Sequence, residues 1–475
     1  MLRTTIIFLL ISLQHSKSCT LTETEVTEIK QSFSKAEEYM QKEALNEDAA
    51  IVIGPGRVGK STLINYLIGN KLRGVRFSQF GEFKIIKADN ESRGPEIGAG
   101  PTSKTTIPIK WKSAKLPGLS IFDCPGFQDN RGTVQDITNS IYIYQLVKKV
   151  KTLKFILVFN FADVERDNTA SLSRFLLDLE KFFGNKFTDF FPSMSIIFSK
   201  TPYRSFQNRV NIKMIKYKLK QKLFSTNVKL SSDAKKFVDY IINNNNSIAL
   251  FWKAKNDKNF SSDTDFQMFS AITNSSSIER IFLDSIRPSI SDSSLICLQS
   301  SKDKFVSINE IWEIEESLLL IFTEKLSTWS YDAYYSNKNT MMVHIRNHFT
   351  EIKVLLDDSI INGSDIYKNI EIIKKIDKQL EEKINDSNLL KKVEMYNFIS
   401  YLLQLEESKI LHQSVEATML TLQALLNAKI SRNPWLIGNV TEDEQVNNNG
   451  EEQETGFIFN LWNKVKKEIL SSMLF

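Results

Sequence analysis

The sequence predicts an α/β domain with a doubly wound, mainly parallel sheet, followed by an all-α helical domain. Three observations carry this prediction. Short apolar, β-branched runs alternate with helical patterns from Asp48 to Lys255. From about Ser275 strand-like runs nearly vanish and long amphipathic patterns take over. The chain has 475 residues, which at roughly 100–200 residues per domain requires two or three units.

Each element follows from local pattern. Leu21 to Leu45 carries charges throughout with sparse apolar residues, and reads as a surface helix leading into the first strand. Ala49–Ile53 is a short buried strand that stops at Gly54, and Ser61–Ile68 is a helix. Further strands are expected at Phe83–Lys87, Thr106–Lys112, Leu119–Phe122, Phe155–Phe159, Met194–Phe198 and Ile248–Trp252. Helices are expected at Val134–Val150, Ala170–Phe183, Val210–Phe224 and Ala234–Ile242. In the second half, Ile308, Ile311, Trp312, Leu319, Phe322, Leu326 and Trp329 recur at helical steps, as do Ile366, Ile370, Ile373, Ile376, Leu380 and Ile384, and the stretch Val393–Leu426. The spacing drifts from a strict heptad, so a packed bundle is expected rather than an extended coiled coil.

The expected organisation is a leader at 1–18, a leading helix at 21–47, the α/β domain at 48–290 and the helical domain at 291–432. A solvated, Asn/Glu/Gln-rich linker at 433–456 and an amphipathic C-terminal helix at 457–475 complete it. The last segment carries Lys464, Lys466 and Lys467 beside an aromatic face. Such a face either lies on a membrane or docks on the helical domain.

Composition narrows the function classes. Lys plus Arg exceeds Asp plus Glu by five (61 against 56), and no basic cluster is interleaved with aromatics, so nucleic acid binding is not expected. Three cysteines, Cys19, Cys124 and Cys297, are too few for a disulfide framework, and the odd count leaves at least one thiol free or paired with another chain. Arg3, the apolar run Thr4–Leu13, and small residues Ser16 and Ser18 fit a signal peptide cut before Cys19. That places the chain in the secretory pathway or outside the cell. The alternative is a short leader on a cytoplasmic protein. Asn-X-Ser/Thr triplets, among them Asn90, Asn245 and Asn439, occur about as often as this Asn- and Ser-rich composition gives by chance.

The chemistry sits at Gly54-Pro55-Gly56-Arg57-Val58-Gly59-Lys60-Ser61, which fits G-x-x-x-x-G-K-[ST] between a strand and a helix. Glycines let the backbone curl so that successive N–H groups point at phosphate oxygens. Lys60 reaches the β- and γ-phosphates, the Ser61 hydroxyl takes a Mg²⁺ ligand position, and the helix that continues through Thr62 aims its positive end at the same anion. A second element, Asp123-Cys124-Pro125-Gly126, follows an expected strand. There Asp123 can hold Mg²⁺ through a water and Gly126 can offer its N–H to the γ-phosphate. A third, Thr102 to Pro108, supplies hydroxyls, of which Thr105 is favoured to complete the Mg²⁺ shell. Lys60, Thr105 and Gly126 are therefore the residues expected to act on a transferring phosphate.

The stretch Ile97 to Pro108, followed by Asp123-Cys-Pro-Gly-Phe-Gln-Asp-Asn-Arg-Gly132, resembles the septin, immune-associated nucleotide-binding (AIG1) and chloroplast-import-receptor branch of P-loop GTPases. The resemblance covers about Ala49 to Lys255. It implies a G domain that binds GTP and Mg²⁺, switch loops ordered by the γ-phosphate, and a homodimer formed across the nucleotide face.

Two departures bear on function. The place of the guanine-reading [Asn/Thr]-Lys-x-Asp motif holds Ser199-Lys200-Thr201-Pro202. Lys200 can still cover a base, but Pro202 removes the carboxylate that would read guanine. Lys253-Ala254-Lys255 offers a backbone contact in its stead. Phe127 stands where small GTPases place a water-orienting Gln, which predicts slow turnover. Gln128 and Arg131 read as switch residues, and His344 and His348 as ordinary helix residues lacking further metal ligands. The leading expectation is a slow GTPase, stimulated by self-association and coupled to the helical domain. Its rivals are a non-hydrolysing, nucleotide-gated scaffold and a base-indifferent triphosphatase that takes ATP.

Overall fold

The computed structural model describes residues 19–432, apart from 77, 82, 90, 98–106, 127–130, 167–168, 206, 225–229, 255–264, 289, 306–308, 310–311, 314–315, 318, 325–327, 329–338, 362–365, 380–388 and 404–406. The expected leader, linker and C-terminal amphipathic helix lie outside the described residues. The chain divides into two compact units between Ser300 and Ser301.

The first unit begins with α1 (Glu23–Glu43). Its start is a capping box: Thr22 Oγ1 accepts from the Glu25 N–H at 3.3 Å, and the Glu25 carboxylate accepts from the Thr22 N–H at 2.8 Å. Val26, Ile29, Phe33, Ala36 and Met40 form one buried stripe at steps of three and four. That stripe packs on α3 (Thr133–Lys149), with Phe33 and Tyr144 ring centroids 6.2 Å apart. The leading helix is thus part of the α/β unit.

The main sheet has the order β10 (Ile248–Trp252), β7 (Met194–Thr201), β6 (Thr152–Asn160), β1 (Asp48–Ile53), β5 (Ser120–Asp123), β4 (Ile109–Lys112). All neighbours pair in parallel except β4, which runs antiparallel to β5, and the short β11 (Ile278–Glu279), which pairs antiparallel with the start of β6. Side chains alternate across the sheet. Ala50, Val52, Ile156, Val158 and Ile197 pack on one face with α2 (Lys60–Leu67) and α8 (Asp265–Asn274). Phe155, on the other face, meets Phe182, Phe183 and Phe190 edge-on, at the end of α5 (Ala170–Phe183) and in the 3-10 segment Gly184–Ser193. Because β1 has β5 on one side and β6 on the other, the chain reverses its winding at β1, and the loops leaving β1 and β6 part to open a crevice.

This is the doubly wound, mainly parallel sheet with flanking helices that the alternation predicts, in the strand order of a P-loop G domain. Details differ. The run Phe83–Lys87 forms β3 (Lys84–Lys87), which pairs with β2 (Leu72–Val75) as a separate two-stranded sheet rather than joining the main one. The strand β2 interrupts its apolar run with Arg73 and Gly74, which hides it from a pattern reading. Further elements have no counterpart in the sequence expectation: α4 (Phe161–Glu165), the hairpin of β8 (Arg204–Ser205) with β9 (Asn208–Arg209), α8 and β11. The helices α6 (Ile212–Phe224) and α7 (Ser232–Asn243) complete the unit.

The unit extends beyond residue 290. Helix α9 (Asp292–Ser300) packs on α3, and the Asp136 carboxylate accepts from the Ser291 N–H at 2.8 Å. The Asp292 carboxylate accepts from Lys181 Nζ at 3.0 Å and from Arg174 at 3.2 Å. These bonds, Lys181 first, hold its pKa below the usual carboxylate value. A disulfide joins Cys19 to Cys297 across 278 residues and leaves Cys124 as the free, buried thiol. The cysteines therefore build one staple rather than a framework, tying the segment that leads into α1 to α9.

The second unit is helical: α10 (Asn339–Ile361), α11 (Ile366–Gln379), α12 (Leu389–Leu403) and α13 (Glu407–Arg432). Helix α10 packs on α11 and α13, and α12 on α13. Among the described residues, periodic positions that are buried include Ile370, Ile373 and Ile376 of α11, Val393 and Ile399 of α12, and Met419, Leu422 and Leu426 of α13. No described helix is long and apolar enough to cross a membrane.

Candidate functional site

Five parallel strands end on one edge of the sheet, and a cavity of about 740 Å³ lies at that edge. Its floor is the loop between β1 and α2. Gly54 has to be a glycine: a Cβ there would stand 2.6 Å from the Val158 carbonyl of β6 and 3.1 Å from Val58. Arg57 and Gly59 take left-handed backbone (φ 63° and 98°), which turns the loop around a central hollow. The first intrahelical bond of α2 runs from the Leu63 N–H to the Gly59 carbonyl. The N–H groups of the first turn before it have no partner within the helix and face the anion position that a helix N-terminus creates.

Lys60 is nine-tenths buried, and its ammonium donates to the carbonyls of Gly54 at 2.9 Å and Pro55 at 3.0 Å. The strand β5 delivers Asp123, almost fully buried, whose Oδ2 accepts from the Ser61 hydroxyl at 3.4 Å. Gly126 closes over the loop: a Cβ there would lie 3.0 Å from Lys60 Nζ and 3.2 Å from the Gly56 nitrogen. Burial and the adjacent Asp123 charge push the Cys124 thiol far up, with Lys60 opposing, so Cys124 is a packed thiol and not a nucleophile.

The other end of the cavity is lined by Asn160, Phe161 and Glu165 after β6, by Lys200 and Pro202 at the end of β7, and by Trp252, Lys253 and Ala254 after β10. Ser199 joins the two ends. Its hydroxyl donates to the Val58 carbonyl and lies 3.1 Å from the Phe159 carbonyl, so β7 and β6 hold the phosphate loop in place. Asn160 caps α4 by accepting from the Ala162 N–H at 3.1 Å. The Lys253 N–H donates to the Thr201 carbonyl at 2.8 Å, which ties the end of β10 to β7. Asp163, within α4, has its pKa raised by burial, with Arg166, Lys200 and Lys222 opposing.

The structure therefore brings together most of the residues singled out in the sequence. Gly56, Arg57, Val58, Gly59, Lys60, Ser61, Thr62, Cys124, Gly126 and Lys200 line one cavity, Asp123 stands against Ser61, and Gly54 and Pro55 hold Lys60. Thr105, Phe127, Gln128 and Lys255 lie outside the described residues, and Arg131 is described but does not line the cavity. The sequence reading missed the Ser199 latch and the contribution of Asn160, Phe161 and Glu165. Their position at the carboxyl end of a parallel strand is the signal that marks them. In the helical unit, His344 and His348 face each other at 3.0 Å between Nε2 atoms, and no cluster of three metal-ligating side chains occurs among the described residues.

A mixed sheet with this strand order, a glycine-rich loop leaving the central strand, a buried lysine and a Ser–Asp pair defines a nucleoside-triphosphate-binding domain of the P-loop, G-domain type. Among solved structures the chain is similar to Toc33 from Arabidopsis thaliana, in complex with Mg²⁺ and GMPPNP. The match has 16% identity and a TM-score of 0.29, and covers 55% of this chain and 97% of that one. It is also similar to a structure from work on dimerization and GTPase activity of the chloroplast translocon components atToc33 and psToc159, at 15% identity and a TM-score of 0.29, covering 56% of this chain and 92% of that one. No protein-family model and no curated protein matches the sequence.

Proposed function

We propose that the chain binds GTP with Mg²⁺ and hydrolyses it slowly, using the nucleotide state to control the helical unit. The observation that carries this is the joint placement of Lys60, Ser61, Asp123 and Gly126 around one loop. Successive loop N–H groups and the first turn of α2 bind the phosphates. Lys60 exchanges its two carbonyl partners for β- and γ-phosphate oxygens, which are stronger, charged acceptors. Gly126 sits close enough to the loop for its N–H to sense the γ-phosphate. Ser61 and Asp123 are hard oxygen donors and fit Mg²⁺, with Thr105 as a further donor. When bound, the ion neutralises charge on the β- and γ-phosphates.

Phe127 in the place of a water-orienting side chain supports slow turnover, raised when two G domains meet across the nucleotide face. The same residue favours a second reading, a nucleotide-gated scaffold that hardly hydrolyses. Single-turnover hydrolysis of radiolabelled GTP across a concentration series separates them. A rate per molecule that does not rise with concentration removes the self-association step. No hydrolysis at any concentration leaves the scaffold. Equilibrium titration with a fluorescent GTP analogue tests the site itself, since Lys60→Ala should bind far more weakly and equal binding would sink the assignment.

The Cys19–Cys297 disulfide supports a secretory or extracytoplasmic location, because such bonds persist in oxidising compartments. Removal of 1–18 would leave Cys19 as the first residue. N-terminal sequencing of the mature chain and a non-reducing gel test this together. Membrane contact through 457–475 is a further part of the reading, tested by vesicle flotation with and without that segment.

A further inference from the structure

The position that reads guanine in the resembled motif is occupied by Pro202, so the base needs another acceptor. The carboxylates lining the cavity, among the described residues, are Glu96 and Glu165. Glu96 follows Pro95, whose carbonyl accepts from Asn65 of α2, so it belongs to the phosphate end. Glu165 ends α4, directly after β6, on the side of Lys200 and Pro202. Its carboxylate accepts a hydrogen bond from the Ser205 hydroxyl, and Ser205 is buried on β8, three residues beyond Pro202. The hairpin that follows the lost motif thus grips a carboxylate from the neighbouring strand's loop.

We propose that Glu165 replaces the missing carboxylate and reads the Watson–Crick edge of guanine, with Ser205 as its positioning residue. The inference rests on reading the cavity as a purine nucleoside triphosphate site. A carboxylate accepts hydrogen bonds and donates none. Guanine offers it N1–H and N2–H₂ as donors, whereas adenine presents a bare N1 to the same oxygen. Ser205 occupies Oε1, which leaves lone pairs on both oxygens for the base. A site built to bond a polar edge rejects a base lacking it, because its buried group is left unpaired. Lys200 covers the base face, and Ser199 ties the same strand end to the phosphate loop, so base and phosphate recognition share one rigid edge.

The test is competition of GTP, ATP and XTP against a fluorescent nucleotide, on the full chain with Mg²⁺, for wild type, Glu165→Gln and Ser205→Ala. Glu165→Gln should weaken GTP by about tenfold or more, leave ATP unchanged, and improve XTP, because the new amide can donate to the xanthine O2. Ser205→Ala, which keeps the carboxylate, should narrow the GTP-to-ATP ratio by less. Its circular dichroism and Tm report folding should Glu165→Gln lose structure. A wild type that prefers GTP while both variants keep its GTP/ATP/XTP order overturns the assignment of Glu165 alone. A base-indifferent wild type also overturns it. A wild type that binds no triphosphate overturns the parent reading instead.

Discussion

Gly54→Ala probes the seat of the phosphate loop. A Cβ at Gly54 would stand 2.6 Å from the Val158 carbonyl oxygen. A close carbon–oxygen contact is about 3.3–3.6 Å, so β6 would have to retreat by roughly 0.7–1 Å from β1. That carbonyl belongs to the backbone of a central strand held on both sides by β1 and β7, and no side-chain rotation relieves the contact. Overpacking of this kind costs about 1–3 kcal/mol. At about 2–4 °C per kcal/mol for a domain of this size, the first thermal transition should fall by roughly 2–12 °C. The displaced loop should also weaken nucleotide binding by about tenfold or more. Gly56→Ala is the internal control, since a Cβ there meets nothing within 4 Å and its Tm should match wild type. Differential scanning fluorimetry and fluorescent-nucleotide titration measure both effects. A Gly54→Ala protein with unchanged Tm and affinity would refute the close passage of β6 beneath the loop.

Three further outcomes are expected. Cys297→Ser opens a disulfide that closes a 278-residue separation, and chain entropy puts the loss at up to about 5 kcal/mol; urea unfolding should show a lower midpoint for the α/β unit, and reduced wild type should behave like the variant. Ser199→Ala removes the latch to Val58 and Phe159 and should weaken nucleotide binding several-fold with little loss of helical signal, measured by titration and circular dichroism. The Ser120 hydroxyl, bonding at 2.5 Å, is the main cause of a lowered Glu47 pKa, with Lys110 assisting against desolvation. A depressed folded pKa contributes stability that is complete above the unfolded value of 4.5 and is lost as pH falls below it. Ser120→Ala should therefore lose more stability at pH 6 than at pH 3.5, and equal losses in urea unfolding at the two values would contradict this assignment.

The phosphate half of the site was legible because its residues are neighbours in sequence. Gly54 to Ser61 form one turn between a strand and a helix, and Asp123 and Gly126 are one strand end, so residue type and spacing carry their geometry. The helical unit was legible for a similar reason. Periodic burial at Ile370, Ile373 and Ile376 repeats within single helices. The strand at Leu72–Val75 was not, because it holds a glycine and an arginine and pairs only with β3, across a short connection.

By itself, then, the sequence determined the fold class, the phosphate loop and the absence of a carboxylate at Pro202. Only the tertiary structure decided what surrounds them. It chose Cys297 as the partner of Cys19, laid α1 against α3, hung Val58 from Ser199, and set Glu165 beside Ser205. Each of these joins residues far apart in the chain. Their meeting depends on the strand order β10-β7-β6-β1-β5-β4, which follows from how the apolar faces of the whole sheet are covered rather than from any local run.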